Sequence, residues 1–153
     1  MDESAGIYAR ESDYLDRFVQ IGVASGRVIS VSFPDKAPAD ANPDHPVLDR
    51  IFAYLEGVQE SFDTVDVALT VPTAHRRVLD TVRQIPYGQQ YTVERIARMT
   101  PKLDPQDDAD LTLVRTALDE NPTPILIPDH RVRDGPSAAP PEIEQKLRSL
   151  EGL

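Results

Sequence analysis

Asn121-Pro122-Thr123-Pro124-Ile125-Leu126-Ile127-Pro128-Asp129-His130-Arg131-Val132 decides how this chain is read. Asn121-Pro122 breaks whatever helix precedes it, because proline lacks a backbone donor and bars the helical conformation just before itself. Ile125-Leu126-Ile127 is a short apolar run that reads as buried. Pro128 then delivers a carboxylate, an imidazole and a guanidinium in succession. Asp129 is expected to pair with His130 or Arg131, or to cap a turn. It is also the residue whose type most restricts the chemistry.

Outward from that stretch, the second half of the chain reads as mostly helical. Thr73 is placed to cap a helix bearing Val78, Leu79 and Val82, ended by Pro86 and Gly88. Thr92 caps a short helix with Val93, Ile96 and Ala97 inward. Asp104, Asp107, Asp108 and Asp110 mark an acidic loop between Pro101 and Asp110. Leu111 to Asp119 forms a further helix that buries Val114, Ala117 and Leu118. The last helix starts near Pro141 and buries Ile143, Leu147 and Leu150. Two short helices either side of a loop, 92–99 and 111–119, are compatible with a helix-turn-helix, a pattern that any two packed helices share.

The first half reads as a small α+β unit ending near residue 71. Residues 1–13 are polar and expected to be loosely held. Val19, Ile21 and Val23 alternate along one strand, and Ile29, Val31 and Phe33 mirror them along a second. Ala24-Ser25-Gly26 reads as the hairpin turn. Pro34 to Pro43 is an exposed loop. Asp44 is expected to cap a helix with Pro46 in its first turn, the stripe Val47, Leu48, Ile51, Phe52 and Leu55, and Gly57 as its stop. Thr64 to Val71 is rich in β-branched residues and reads as a strand.

Composition narrows the function. The chain has 153 residues, 40% of them hydrophobic, and no cysteine. Disulfides, thiolate metal sites and thiol nucleophiles are excluded together. No apolar run is long enough to span a membrane and no signal segment is present, so a cytoplasmic location is expected. His45 and His75 show no ligand spacing with His130, and neither a metal nor a cofactor is expected. The net charge is −10. Residues 1–70 hold 5 Lys+Arg against 13 Asp+Glu, and residues 71–153 hold 11 against 13, so the halves carry −8 and −2. Any contact with phosphate falls to the second half, through Arg76, Arg77, Arg95, Arg98, Arg131 and Arg133. Lysine occurs only at 36, 102 and 146 while aspartate is abundant. That bias predicts a halophilic protein, whose carboxylates keep its surface hydrated in concentrated salt.

The Asn121–Val132 stretch resembles the active-site signature of the alkylguanine-DNA alkyltransferases, or methylated-DNA–protein-cysteine methyltransferases, and the composition resembles that of haloarchaeal members. The resemblance covers roughly residues 45–152. It runs through His45-Pro46, Tyr54-Leu55-Glu56-Gly57, Ile85-Pro86-Tyr87-Gly88, the Thr92–Ala97 helix, the Asn121–Val132 stretch and Lys146 to Gly152. It implies an α+β fold: a small N-terminal sheet-plus-helix domain, 1–71, and a mostly helical winged-helix-like DNA-binding domain, 72–153. In the family, a cysteine between Pro and His accepts the alkyl group. The adjacent histidine, a water and a C-terminal glutamate activate it, and an asparagine shapes the site. His130, Glu151 and Asn121 match the last three; Asp129 stands at the acceptor. By the same resemblance Thr92, Val93, Thr112, Arg115 and Arg131 fall on the DNA-contacting surface.

Four positions depart from the family. Asp129 replaces the sulfur with a weaker nucleophile. Thr112 falls where the family has an arginine that fills the space of the rotated base, with Arg115 one turn further on. Val93 falls where the family has a tyrosine that turns the nucleotide. Arg133 to Pro140 replaces a longer loop that walls the guanine pocket. Cysteine-free relatives, the alkyltransferase-like proteins, usually carry tryptophan at the Asp129 position and keep the arginine and tyrosine, so this chain departs from them as well. The expectation is a homologue that binds DNA, alkylated guanine included, without accepting the alkyl group. The alternatives are an aspartate-dependent dealkylating enzyme and a protein-interaction or regulatory module that has lost DNA. Expected partners are duplex DNA, through its minor groove and with damaged duplex included, and repair proteins; the chain is expected to act as a monomer without membrane.

Overall fold

Three antiparallel strands in the order β1 (Gly6–Ser12), β2 (Arg17–Ala24) and β3 (Arg27–Ser32) open the chain. The computed structural model describes residues 5–153. Ser25 and Gly26 join β2 to β3 with φ of 52° and 75°. Positive φ at both loop positions gives a turn whose twist matches that of the strands, and glycine adopts it without steric cost. The helices are α1 (Pro46–Leu55), α2 (Thr73–Val82), α3 (Val93–Met99), α4 (Asp108–Asp119) and α5 (Pro141–Glu151), with one 3-10 turn at Asp129–Arg131. Sheet and helices make the α+β class expected from the sequence.

The differences from expectation have physical causes. Residues 6–12 are not loose but form β1, because Ala9 N–H donates to the Asn42 carbonyl and Asn42 N–H to the Ile7 carbonyl along its free edge, and β2 pairs with the other. Residues 1–4 lie outside the described residues. Ile29 does not mirror Val23: the register shifts between Gly22 and Val23, so Val28 takes the core position and Ile29 is exposed. One extra residue in a strand turns its side chain to the other face. The strand expected at 64–71 is reduced to a single bridge between Val28 and Val67. The edge of β3 is shared: Val28 bonds Asp66 and Ala68, but Val31 donates to the carbonyl of Pro122. No continuous edge is left for a fourth strand.

α1 begins at Pro46, and its cap is His45, whose Nδ1 accepts from Val47 N–H; Asp44 lies one residue outside. Gly57, at φ 104°, follows its end. α4 starts at Asp108, three residues before the expected Leu111, because Asp107 caps it by accepting from Ala109 N–H. Thr92 caps α3 as expected, accepting from Arg95 N–H.

Two apolar cores result. The first joins the sheet, α1 and Phe62 to Ile125, Leu126 and the α5 residues Ile143 and Leu147. The second joins α2, α3 and α4 to Ile127 and Val132. The segment 125–132 therefore passes from one core into the other and carries Asp129 at the crossing. α5, from the second half, closes the N-terminal core. In the C-terminal half, strand-like pairing among the described residues is limited to the bridges Tyr91–Val132 and Pro124–Ile127.

Candidate functional site

The 3-10 turn at Asp129–Arg131 decides which way the three polar side chains point. Such a turn has three residues per revolution, so neighbours diverge by about 120°. Asp129 faces one way, and His130 and Arg131 turn toward Glu151 at the end of α5. The ion pair expected between Asp129 and His130 or Arg131 does not form.

Asp129 is fully buried, and its carboxylate is held by its own chain. Its Oδ2 accepts from Asn121 Nδ2 at 3.0 Å and from Ala138 N–H at 3.0 Å. Its Oδ1 accepts from Ser137 Oγ at 2.5 Å. Burial pushes the Asp129 pKa up; the Ser137 and Ala138 hydrogen bonds, His130 and Asn121 oppose that rise. Asn121 also donates to the carbonyl of Ile127 and accepts from Thr123 N–H, which fixes the entry to the turn. Ile125, just upstream, sits at φ 76°. That conformation costs a β-branched residue on the order of 1–3 kcal/mol, which the surrounding packing sustains.

The loop from Arg133 to Pro140 is drawn inward at four points. Asp134 Oδ1 accepts from Val93 N–H at 2.7 Å. Gly135 lies so close to Leu118, Val132 and Val93 that a Cβ there would come within 2.7 Å of Leu118 Cδ1. Ser137 and Ala138 grip Asp129, and Ala139 enters the first core. The loop closes over Asp129. A cavity of about 650 Å³ lies between Phe62, Ile85, Tyr87 and Leu126, and its lining reaches Pro128 and Arg131 but neither Asp129 nor His130.

Glu151 is the centre of a second buried network. It accepts from His130 Nε2 at 2.6 Å, from Arg131 Nε at 2.8 Å and Nη2 at 3.1 Å, from Gly88 N–H at 2.9 Å and from the Tyr54 hydroxyl. Burial would raise its pKa, but the His130 and Arg131 hydrogen bonds, His130 itself and Gly88 N–H overcome that and hold it at about 2. Burial, then the Glu151 charge, pushes the Tyr54 phenol well above its ordinary value. His130 lies 3.2 Å from the Tyr54 oxygen through the same Nε2, and its Nδ1 has no partner among the described residues. Nε2 therefore carries the proton that faces Glu151.

Sequence reasoning brought Asn121, Asp129, His130 and Glu151 to one region, and the coordinates gather them there as two networks back to back. It missed Tyr54, Ser137 and Gly88. Tyr54 sits at core spacing on α1 with Leu48 and Ile51, so only its hydroxyl hinted at a polar partner. Ser137 and Gly88 N–H carry no sequence signal. Among the residues expected on a DNA surface, Thr92 is half-buried, and Thr112 and Arg115 are exposed on α4. Two are corrected. Val93 is packed inside the second core. Arg131 is 7% exposed, and its guanidinium is spent on Glu151 and the carbonyl of Ile85. Among the described residues, no three His, Asp or Glu side chains converge as a metal site would require, and no helix is long and apolar enough to cross a membrane.

The architecture has relatives. A methylated-DNA–protein-cysteine methyltransferase from Metallosphaera sedula is 26% identical over 152 residues, covering 94% of this chain and 93% of that protein. One from Methanopyrus kandleri is 34% identical over 100 residues, covering 64% and 71%. Among solved structures, Mycobacterium tuberculosis OGT in complex with DNA superposes with a TM-score of 0.71 at 20% identity, covering 96% of this chain and 91% of that one. The O6-methylguanine-DNA methyltransferase of Pyrococcus kodakaraensis gives 0.68 at 21% identity, covering 97% and 100%. The sequence profile described as 6-O-methylguanine DNA methyltransferase, DNA binding domain, matches residues 73–151, more than half of the chain. With the fold shared almost end to end, this cysteine-free chain belongs to the 6-O-methylguanine DNA methyltransferase family.

Proposed function

We propose that this chain is a DNA-binding member of the alkyltransferase family that does not accept an alkyl group. One observation carries the reading: the residue at the acceptor position is a fully buried carboxylate whose two oxygens already hold three donors of its own chain. A nucleophile must present a lone pair to the reacting carbon at near-contact distance. Asp129 has no open face from which to do so. The same closure argues against an aspartate-dependent dealkylating cycle, which would also need water at the ester.

DNA binding rests on the family and on exposed groups of the second half. Residues 73–151, the part that matches the DNA-binding profile, hold Thr112 and Arg115 on α4 and Arg95 and Arg98 on α3, all exposed. The proposed domain division at about residue 71 keeps this surface within the C-terminal unit. The acidic balance fits a salt-rich cytoplasm and a monomeric chain that meets duplex DNA by shape, in the minor groove, more than by charge.

A second reading has one observation in its favour. Asp107, Asp108 and Asp110 crowd the start of α4, and Asp119 is exposed at its end, so the helix that would lie against DNA carries mostly negative charge. That favours a protein-interaction module. A duplex holding one O6-methylguanine with a labelled methyl group separates the readings. We expect a band shift persisting in molar potassium chloride and no label on the protein. Covalent label overturns the silent-acceptor reading; no shift on alkylated or normal duplex leaves the interaction module.

A further inference from the structure

We infer that Tyr91, Arg95 and Arg133 form the contact through which this chain grips a nucleic-acid backbone; this rests on the DNA-binding reading above and says which surface does the binding. The Arg95 guanidinium carbon lies 3.8 Å from the centroid of the Tyr91 ring. Stacking of this kind uses the flat face of the guanidinium and leaves its N–H edge free in the plane. That edge is the part that matches a phosphate in a two-pronged geometry. Arg95 is exposed and makes no ion pair among the described residues, whereas Arg98, about one turn further along α3, has its donor on Glu94 at 2.7 Å. The stack also holds Arg95 in one orientation beforehand, which lowers the ordering cost on binding.

Tyr91 is itself fixed. Its N–H donates to the carbonyl of Arg131 and its carbonyl accepts from Arg133 N–H, both at 2.9 Å. Arg133 is thus bonded through its backbone to Tyr91, next to the bridge partner Val132; it too is exposed and forms no ion pair among the described residues. The nearby carboxylates are engaged: Asp134 with Val93 N–H and Glu94 with Arg98. Arg95 on the Tyr91 ring and Arg133 on the adjoining backbone give two guanidinium groups, without an ion pair among the described residues, to meet a charged backbone. α4 offers the opposite balance, with one exposed arginine, Arg115, against Asp107, Asp108 and Asp119. The grip has thus moved off the second helix of the helix-turn-helix and onto α3 and the segment that leaves Asp129.

The test is fluorescence anisotropy of a labelled duplex, with and without one O6-methylguanine, titrated with the full chain from 0.1 to 2 M potassium chloride. Arg95→Gln and Arg133→Gln are each expected to weaken binding about five- to tenfold at the lowest salt and to lower the salt slope by about one. Arg27→Gln, an exposed arginine at the start of β3, is the control and is expected to change affinity by less than about twofold. Tyr91→Leu keeps both charges but frees Arg95, and is expected to weaken binding about threefold; thermal melts confirm that each variant is folded. A wild type that binds while Arg95→Gln and Arg133→Gln lose no more than Arg27→Gln, or less than Arg115→Gln, overturns this assignment alone. A wild type that binds neither duplex overturns the DNA-binding reading and the assignment with it.

Discussion

Replacing Glu151 with glutamine removes one charge and keeps the side chain's shape. Glu151 accepts hydrogen bonds from five donors: Gly88 N–H, two nitrogens of Arg131, His130 Nε2 and the Tyr54 hydroxyl. A glutamine has one acceptor oxygen, and its amide would turn two N–H groups toward donors. Arg131, 7% exposed, would lose its counter-charge. Removing one partner of a buried pair costs about 3–5 kcal/mol. A second route gives a similar figure. Glu151 is held at about 2 against an ordinary 4.5. By linkage that depression is worth about 3 kcal/mol at neutral pH. Set against a total folding stability of about 5–15 kcal/mol, the loss is large, and the melting temperature should fall by on the order of 10 °C.

The pH dependence follows from the sign. A lowered folded pKa stabilises fully above the ordinary carboxylate value and is lost as pH falls toward the folded one. The gap between wild type and Glu151→Gln should be complete at pH 7, shrink below about 4.5, and largely vanish near 2. Salt gives a further check, because buried pairs are screened far less than exposed ones. Urea unfolding followed by circular dichroism, at pH 7 and pH 3 in 0.1 and 2 M potassium chloride, measures all three. A loss under about 1 kcal/mol at pH 7, or a loss that disappears in 2 M salt, refutes the buried-network account.

Three other outcomes follow from the Asp129 side. Asp129→Ala strands Asn121 Nδ2, Ser137 Oγ and Ala138 N–H and should cost about 2–4 kcal/mol, whereas Asp129→Asn should stay within about 1 kcal/mol at pH 7, because the Ser137 hydroxyl can rotate to accept from the new amide. A raised folded pKa means that the wild type loses stability as pH rises through the carboxylate range, so Asp129→Asn should gain on it over that rise; parallel pH curves for the two would count against the assignment. Asp129→Cys should take no methyl group from a labelled O6-methylguanine duplex, since the 133–140 loop still closes over the position; stoichiometric label would mean the loop opens. Gly135→Ala should lower stability by about 1–3 kcal/mol in thermal melts, because its Cβ would come within 2.7 Å of Leu118 Cδ1 in a filled core.

The helices were legible because most carry their own signals; the exception is α2, where Pro72 rather than the expected Thr73 holds the cap position and no side chain caps it. Thr92 as cap, Pro46 and Pro141 in first turns and the spacing of Leu48 and Ile51 are local, and the fold honours them. The sheet was less legible. β1 shows no alternation, since Ile7 is exposed while Tyr8 and Ala9 are both buried. It exists because β2 and Asn42 pair with its edges, and pairing leaves no trace in a single segment. The site divided in the same way. Asn121, Asp129, His130 and Glu151 could be named from motif spacing, but which carboxylate the histidine would choose could not. That choice is made by the 3-10 turn and by the 133–140 loop, whose Ser137 and Ala138 act through their positions.

The placement of α5 also bears on how a ribosome must make this protein. Ile143 and Leu147 fill the core built by residues 8–65, and Tyr54 reaches Glu151 on α5. The opening hairpin and α1 leave the exit tunnel long before those partners exist. A growing chain therefore carries its apolar N-terminal face uncovered until α5 has been made. The N-terminal core cannot close in the order of translation; it must wait for α5 to return to α1.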